Sequence, residues 1–168
     1  MIYRLNILFI LLFSYGVSSD LEHDPNFVKS VYIEKISRFL TWPNDKESSD
    51  EFNLCLTGDS AVEKYLPRLY RKRTIKKKPV KIIRIDNFDE ASKCHMVYVN
   101  NKSINQLSAL KEYSVVLVGN SIGLEHKGVH INFFDEGERV RFWINPKSYK
   151  GSGIRVNHLL LSIAKIVR

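Results

Sequence analysis

Residues 114–145 read SVVLVGNSIGLEHKGVHINFFDEGERVRFWIN, and two readings of them lead to different folds. In one, GNSIG (119–123) is the G-x-S-x-G of a nucleophile elbow, a sharp strand-to-helix turn that presents a serine. In the other it is a plain turn between a buried strand and a hairpin. SVVLVG (114–119) is an unbroken apolar run of strand length. VHINFF (129–134) and RVRFWIN (139–145) flank the tight turn DEGE, which signals an antiparallel pair. An elbow needs a long helix directly after its serine, and residues 124–128 leave only a short connection. Asp135 falls in the hairpin turn. His158 would complete the chain order Ser121, Asp135, His158, but no segment remains to build the rest of such a fold. The second reading stands.

Working towards the N-terminus, HMVYV (95–99), KPVKIIRI (78–85) and FNLCLTG (52–58) read as three more strands. Helical patterns separate them: Ser103 to Tyr113, a short turn near Phe88–Ala91, and Ser60 to about Arg71. Before the first strand, Asp24-Pro25 is a capping side chain followed by a proline at the first helical position. Phe27, Val28, Val31, Tyr32, Ile36, Phe39 and Leu40 then recur at three- and four-residue steps, and Trp42-Pro43 stops the helix. Towards the C-terminus, Asn157 can cap a helix with Leu159, Leu160, Ile163, Ile166 and Val167 on its inner face. Strands alternating with helices imply a parallel sheet. The expected fold is α/β: a single three-layer Rossmann-like domain with a mostly parallel sheet of about six strands, a C-terminal antiparallel hairpin, and helices on both faces.

The chain opens MIYRLNILFILLFSYGVSSD: one early arginine, an apolar run from Ile7 to Phe13, then small residues. That is the layout of a secretory signal peptide over residues 1–19, with the mature domain spanning 20–168. The compartment changes the reading of RLYRKRTIKKKPVKIIR (68–84). The net charge of +8 is local, because Lys64–Ile85 holds ten Lys or Arg and no acid, which leaves the rest of the chain at −2. An exported protein does not meet chromosomal DNA, so no nucleic-acid partner is expected. The basic run is either a contact for an anionic surface or acidic partner, or a solvated helix end, loop and strand edge. Cys55 and Cys94 are the only cysteines, and in an oxidising compartment two cysteines suggest one disulfide.

Chemistry is hard to place. GDS (58–60) imitates a lipase triplet, but the only D-x-x-H is Asp20–His23, at the wrong end of the chain. The histidines at 23, 95, 126, 130 and 158 show no helical i,i+4 pair. His126 and His130 are separated by Gly128, and Val129 begins a strand. No Walker loop or G-x-G-x-x-G is present, so no catalytic residue, metal or cofactor is expected.

Taken in order, several segments form a recognisable set. They are VKSVYIEKISRFLTWP (28–43), NLCLTGDS (53–60), RTIKKKPVKII (73–83), CHMVYV (94–99) and GVHINFFDEGERVRFWINPKSYKGSGIRVNHLLLSIAKIV (128–167). This set resembles the YfiR family over about Phe27 to Val167, and the last segment is the most specific. The resemblance implies a periplasmic, non-enzymatic α/β regulator, often a homodimer. Such a regulator binds the periplasmic sensor domain of an inner-membrane diguanylate cyclase, holds it inactive and so lowers cyclic di-GMP. A peptidoglycan-associated outer-membrane lipoprotein can sequester it. Cys55 and Cys94 match one family disulfide, and the second bond of some members is absent.

For partner binding the resemblance and the strand alternation single out five residues. Val140, Phe142 and Ile144 should face inward, while Arg139, Arg141 and Trp143 face the other way. The family often carries Glu where this chain has Trp143. A tryptophan between arginines suits a contact hot spot, unless a neighbouring helix covers it. Arg155 and Asn157 match a family segment implicated in partner or ligand contact, although Asn157 can equally be only a helix cap. The alternative function is a periplasmic small-molecule sensor or adaptor, which a pocket at the carboxyl ends of the parallel strands would favour.

Overall fold

The computed structural model describes residues 23–100, 107 and 113–168. The expected signal peptide and most of the expected helix 103–113 lie outside them. Within that helix Leu107 is helical and buried.

The first helix, α1 (Pro25–Ser37), begins as the sequence dictates: the Asp24 carboxylate accepts from the Asn26 amide at 2.8 Å, and Pro25 occupies the first turn. Its buried stripe is wider than the apolar spacing predicts. Ile33 and Ile36 are buried, but so are Lys29, Ser30, Glu34 and Ser37. The polar members are tolerated because each has a partner. Lys29 reaches Asp135 at 3.1 Å, Glu34 pairs with Arg38 one turn on, and Ser30 and Ser37 donate to carbonyls one turn back.

Among the described residues ten strands follow in chain order. They are β1 (Leu40–Thr41), β2 (Phe52–Thr57), β3 (Thr74–Ile75), β4 (Lys78–Ile85), β5 (Met96–Tyr98), β6 (Val116–Gly119), β7 (Ile131–Glu136), β8 (Arg139–Ile144), β9 (Arg155–Val156) and β10 (Lys165–Ile166). The short helices between them are α2 (Asn44–Glu47), α3 (Leu66–Tyr70), α4 (Pro146–Tyr149) and α5 (His158–Ile163), with 3-10 turns at Phe88–Lys93 and Leu124–His126. The main sheet has the order β10-β8-β7-β6-β5-β2-β4-β3, and β1 pairs with β9 in a separate two-stranded sheet. Every pairing from β7 across to β4 is parallel, as is β10 with β8, while β7–β8 and β3–β4 are antiparallel.

Alternate residues of the central strands enter different apolar clusters. Leu54, Leu56, Met96, Tyr98, Val116 and Val118 join the cluster that contains α1 and α3 residues. Cys55, Val97 and Leu117 join a second one with Phe88, Ala91, Leu107 and Leu124. Both faces of these strands are therefore covered, which is why SVVLVG shows no polar alternation. Cys55 and Cys94, both fully buried in the second cluster, are bonded to each other across a separation of 39 residues.

The expected strands are all present, and the sheet is larger than expected because two-residue strands extend both edges. Two helices differ. The segment expected to be helical over 60–71 is helical only at Leu66–Tyr70, because Pro67 sits at the helix start and residues 61–65 form turns. The C-terminal helix ends at Ile163, and the chain then straightens into β10 against β8, with Lys165 opposite Trp143 and Ile166 opposite Ile144. Only Leu160 of the expected inner face is buried in α5, while Leu159, Ile163 and Ile166 are exposed.

Candidate functional site

Ser121 sits in a loop that is tied to β7 through its backbone. After β6 the Ser121 amide donates to Asn132 Oδ1 at 3.3 Å, and Asn132 Nδ2 donates back to the Ser121 carbonyl at 2.8 Å. Gly123, at φ 89°, turns the chain into a single 3-10 turn whose Glu125 carboxylate accepts from the Gly123 amide at 3.1 Å. This is a pinned loop, with no long helix behind Ser121. At the other triplet, Asp59 is exposed and pairs with Arg84 at 2.9 Å, and Asp20 lies outside the described residues.

The buried histidines are structural too. His95 Nδ1 accepts from the Asn53 amide at 3.0 Å, and burial is the chief cause that lowers its pKa. Its ring stacks on Phe52, while Trp42 donates its indole N–H to the His95 carbonyl at 2.7 Å. Trp42, directly after β1, thus anchors that segment to the start of β5. His130 Nδ1 accepts from the Leu117 amide at 2.7 Å, so its Nε2 carries the proton towards the Ser148 carbonyl. Among the described residues no group of three or more His, Cys, Asp or Glu could hold a metal ion.

The outward face of the β7–β8 hairpin is different in kind. Phe142 and Ile144 are buried, and Arg139 and Arg141 are exposed. Trp143 is half-buried, its ring 5.6 Å from that of Phe134. No helix covers it. The Lys165 ammonium lies over both rings, at 4.8 Å from Phe134 and 5.6 Å from Trp143. Glu136 pairs with Lys165 and with Arg141 (3.3 Å), and Lys165 is the main cause that lowers its pKa. Trp143 and Ile166 line an open cavity of about 460 Å³ with Glu125, His126 and Arg168. Arg139, at the far end of β8, borders a separate hollow with Asp135 and His23.

Arg155 and Asn157 do not join this face. Both belong to the β9–α5 segment, where Arg155 pairs in register with Thr41 of β1 and Val156 packs on the cluster beneath α1. Asn157 Oδ1 accepts from the Leu159 amide at 2.9 Å, which makes it the cap of α5, and its own amide donates to the Phe39 carbonyl at 2.9 Å. The five residues therefore fall into two groups, one on β8 and one on the β9–α5 segment. Sequence reasoning missed Lys165 and Ile166, because it placed them on a helix.

A family model described as YfiR/HmsC-like matches residues 26–165. The chain belongs to the YfiR/HmsC-like family. Among solved structures, a conserved domain protein from Vibrio cholerae O1 biovar El Tor shares the fold at a TM-score of 0.58 and 12% identity. The match covers 83% of this chain and 60% of that one, so this YfiR/HmsC-like chain spans less than two thirds of that protein's length. No curated protein sequence matches. No helix among the described residues is long and apolar enough to cross a membrane.

Proposed function

We propose that this protein is a non-enzymatic repressor that binds the periplasmic sensor domain of an inner-membrane diguanylate cyclase and lowers cyclic di-GMP. It acts by population shift: it binds the inactive arrangement of the sensor more tightly than the active one, and only that difference in affinity carries the signal. Of all the features on the surface, the Trp143 face carries this reading. A half-exposed tryptophan packed at a tilt against Phe134, flanked by Arg141 and Lys165 and open to a cavity, has the composition of an interface hot spot. Arg139 extends the face along β8. Arg155 and Asn157 form a second contact region beside the exposed Leu159 and Ile163 of α5. A peptidoglycan-associated outer-membrane lipoprotein that competes for either region would release the cyclase. The protein works as a homodimer, which light scattering on the purified chain tests.

Titration of the purified sensor domain tests the repressor reading. Trp143→Ala should weaken binding by roughly 30-fold, corresponding to about 2 kcal/mol for a central aromatic anchor. Wild-type affinity in that variant would remove the face from the account.

The basic run supports a lesser contact with anionic surfaces. Arg68, Arg71, Lys72, Arg73 and Lys77 are all exposed. Sedimentation with anionic vesicles, repeated at raised salt, tests that contact.

A further inference from the structure

The positive charge of the chain gathers at one edge of the main sheet. Lys64–Ile85 carries ten cations, and the structure divides them into two sets. Lys64 pairs with Asp24, Lys76 with Glu47, Lys81 with Glu51, and Arg84 with Asp59 and Glu63. Lys78 donates to the Lys46 and Glu47 carbonyls. The other five, Arg68, Arg71, Lys72, Arg73 and Lys77, are exposed, and none makes an ion pair or side-chain hydrogen bond to a described residue.

These five lie within ten consecutive residues. Because Arg71 keeps a helical conformation at the end of α3, Arg68 neighbours both Arg71 and Lys72. Arg73 then leads into β3, and Lys77 stands in the two-residue turn to β4. Cations suit the C-terminal end of a helix, yet like charges three and four residues apart repel one another. The hairpin turn carries a cost as well. Lys76 and Lys77 hold φ values of 51° and 66°, where asparagine or glycine would sit with less strain. The edge keeps cations where folding alone favours other residues.

Its chemistry restricts what it can hold. It has no apolar anchor, since the exposed large hydrophobics, Ile122, Leu159, Ile163 and Ile166, all lie elsewhere in the chain. It has no platform for stacking bases, because Tyr70, the only aromatic between Arg68 and Arg84, is buried. None of the five side chains is fixed in direction by a described partner, as recognition of one particular carboxylate would favour. A dense, fluid array of negative headgroups asks for neither insertion nor fixed geometry. The edge also lies away from the Trp143 face. β3 ends the main sheet on one side, and five strands separate it from β8, roughly 30 Å at the usual strand spacing.

We propose that the β3 edge docks the protein, by charge alone, on a bilayer rich in anionic phospholipid. The choice of that surface over other polyanions rests on the membrane-bound cyclase proposed above. Docked by this edge, the protein keeps its Trp143 face in water near the membrane that holds the sensor domain, and the second weak contact raises its local concentration there.

Sedimentation of the oxidised mature chain, residues 20–168, with vesicles tests the docking without the cyclase. Phosphatidylcholine vesicles with roughly 30% phosphatidylglycerol should bind the protein, and phosphatidylcholine alone should not. Raising the salt from about 0.1 to about 0.5 M should release it, because electrostatic attraction is then screened within a few ångströms. The triple variant Arg71→Gln, Lys72→Gln, Arg73→Gln should bind about 100-fold more weakly, at roughly fivefold per cation lost. Arg68→Gln with Lys77→Gln is the second variant, with an expected loss of about 25-fold. Arg71→Lys with Arg73→Lys should bind like the wild type, because a fluid surface responds to charge and not to the guanidinium fork. Vesicle binding is read whether or not the sensor domain binds, so this docking and the repressor reading can be overturned separately. The docking is overturned if neutral vesicles bind equally well, if raised salt leaves binding intact, or if both glutamine variants bind like the wild type. A lysine variant as weak as the triple glutamine one would overturn it in favour of an acidic protein partner.

Discussion

His95 and the two cysteines show how single residues set the conditions under which the fold survives. An unfolded His95 takes up a proton near its ordinary 6.5, whereas the folded one, held down chiefly by burial, does so only at lower pH. Between those values the unfolded state binds more protons, so stability falls as the pH drops below 6.5. Urea midpoints at about pH 7 and about pH 5 should show that fall, and His95→Asn should flatten it. Asp24 adds a separate acid loss between 3.8 and about 2, because the Tyr65 hydroxyl and then the Asn26 amide stabilise its carboxylate. Cys55 and Cys94 close a loop of 39 residues, for which the chain-entropy model gives roughly 4 kcal/mol. The Cys55→Ala, Cys94→Ala double variant should lose about 2–5 kcal/mol in urea titration, and a loss below about 1 would contradict a stabilising bond. Of the candidate contact residues, the outward placement of Trp143 was legible from strand alternation. The capping geometry of Asn157 was legible only as one of two uses.

Among the elements, those with a strong local period were readable and those made by long-range pairing were not. The Asp24 cap, the β7–β8 hairpin and the apolar β6 run are written in consecutive residues. By contrast, β3, β9 and β10 are two residues long and exist only because β4, β1 and β8 lie beside them. That is why the C-terminal pattern of Leu159, Ile163 and Ile166 reads as an inner helix face and is in fact exposed. The β3–β4 turn shows the same limit. Lys76 and Lys77, at φ 51° and 66°, both take left-handed conformations in a two-residue hairpin turn that ordinarily favours Asn or Gly. Lys76 is held by Glu47 at 3.0 Å. Lys77 is exposed, so Lys77→Gly should relieve strain and stabilise the protein by about 0.5–1 kcal/mol in chemical denaturation. An unchanged or lower midpoint would show that the turn is not strained.

At the scale of the whole molecule, the topology separates two surfaces. The Trp143 face lies near one edge of the sheet, where β8 meets β10, and a small crevice lies at the carboxyl ends of the central strands. The parallel core was foreseeable from alternating strands and helices, but no local pattern could bring Asp59, Tyr98 and Asn120 together from three strand ends. Nor could motif spacing show that Arg155 and Trp143 belong to different sheets. The central claim is that the exported protein restrains a cyclase. Cyclic di-GMP should therefore be measured in cells lacking it, in cells complemented with the full chain, and in cells given a copy without residues 1–19. A rise on deletion, reversed only by the full chain, is the predicted result. A level that does not move on deletion, or that the copy without residues 1–19 restores equally well, would contradict it.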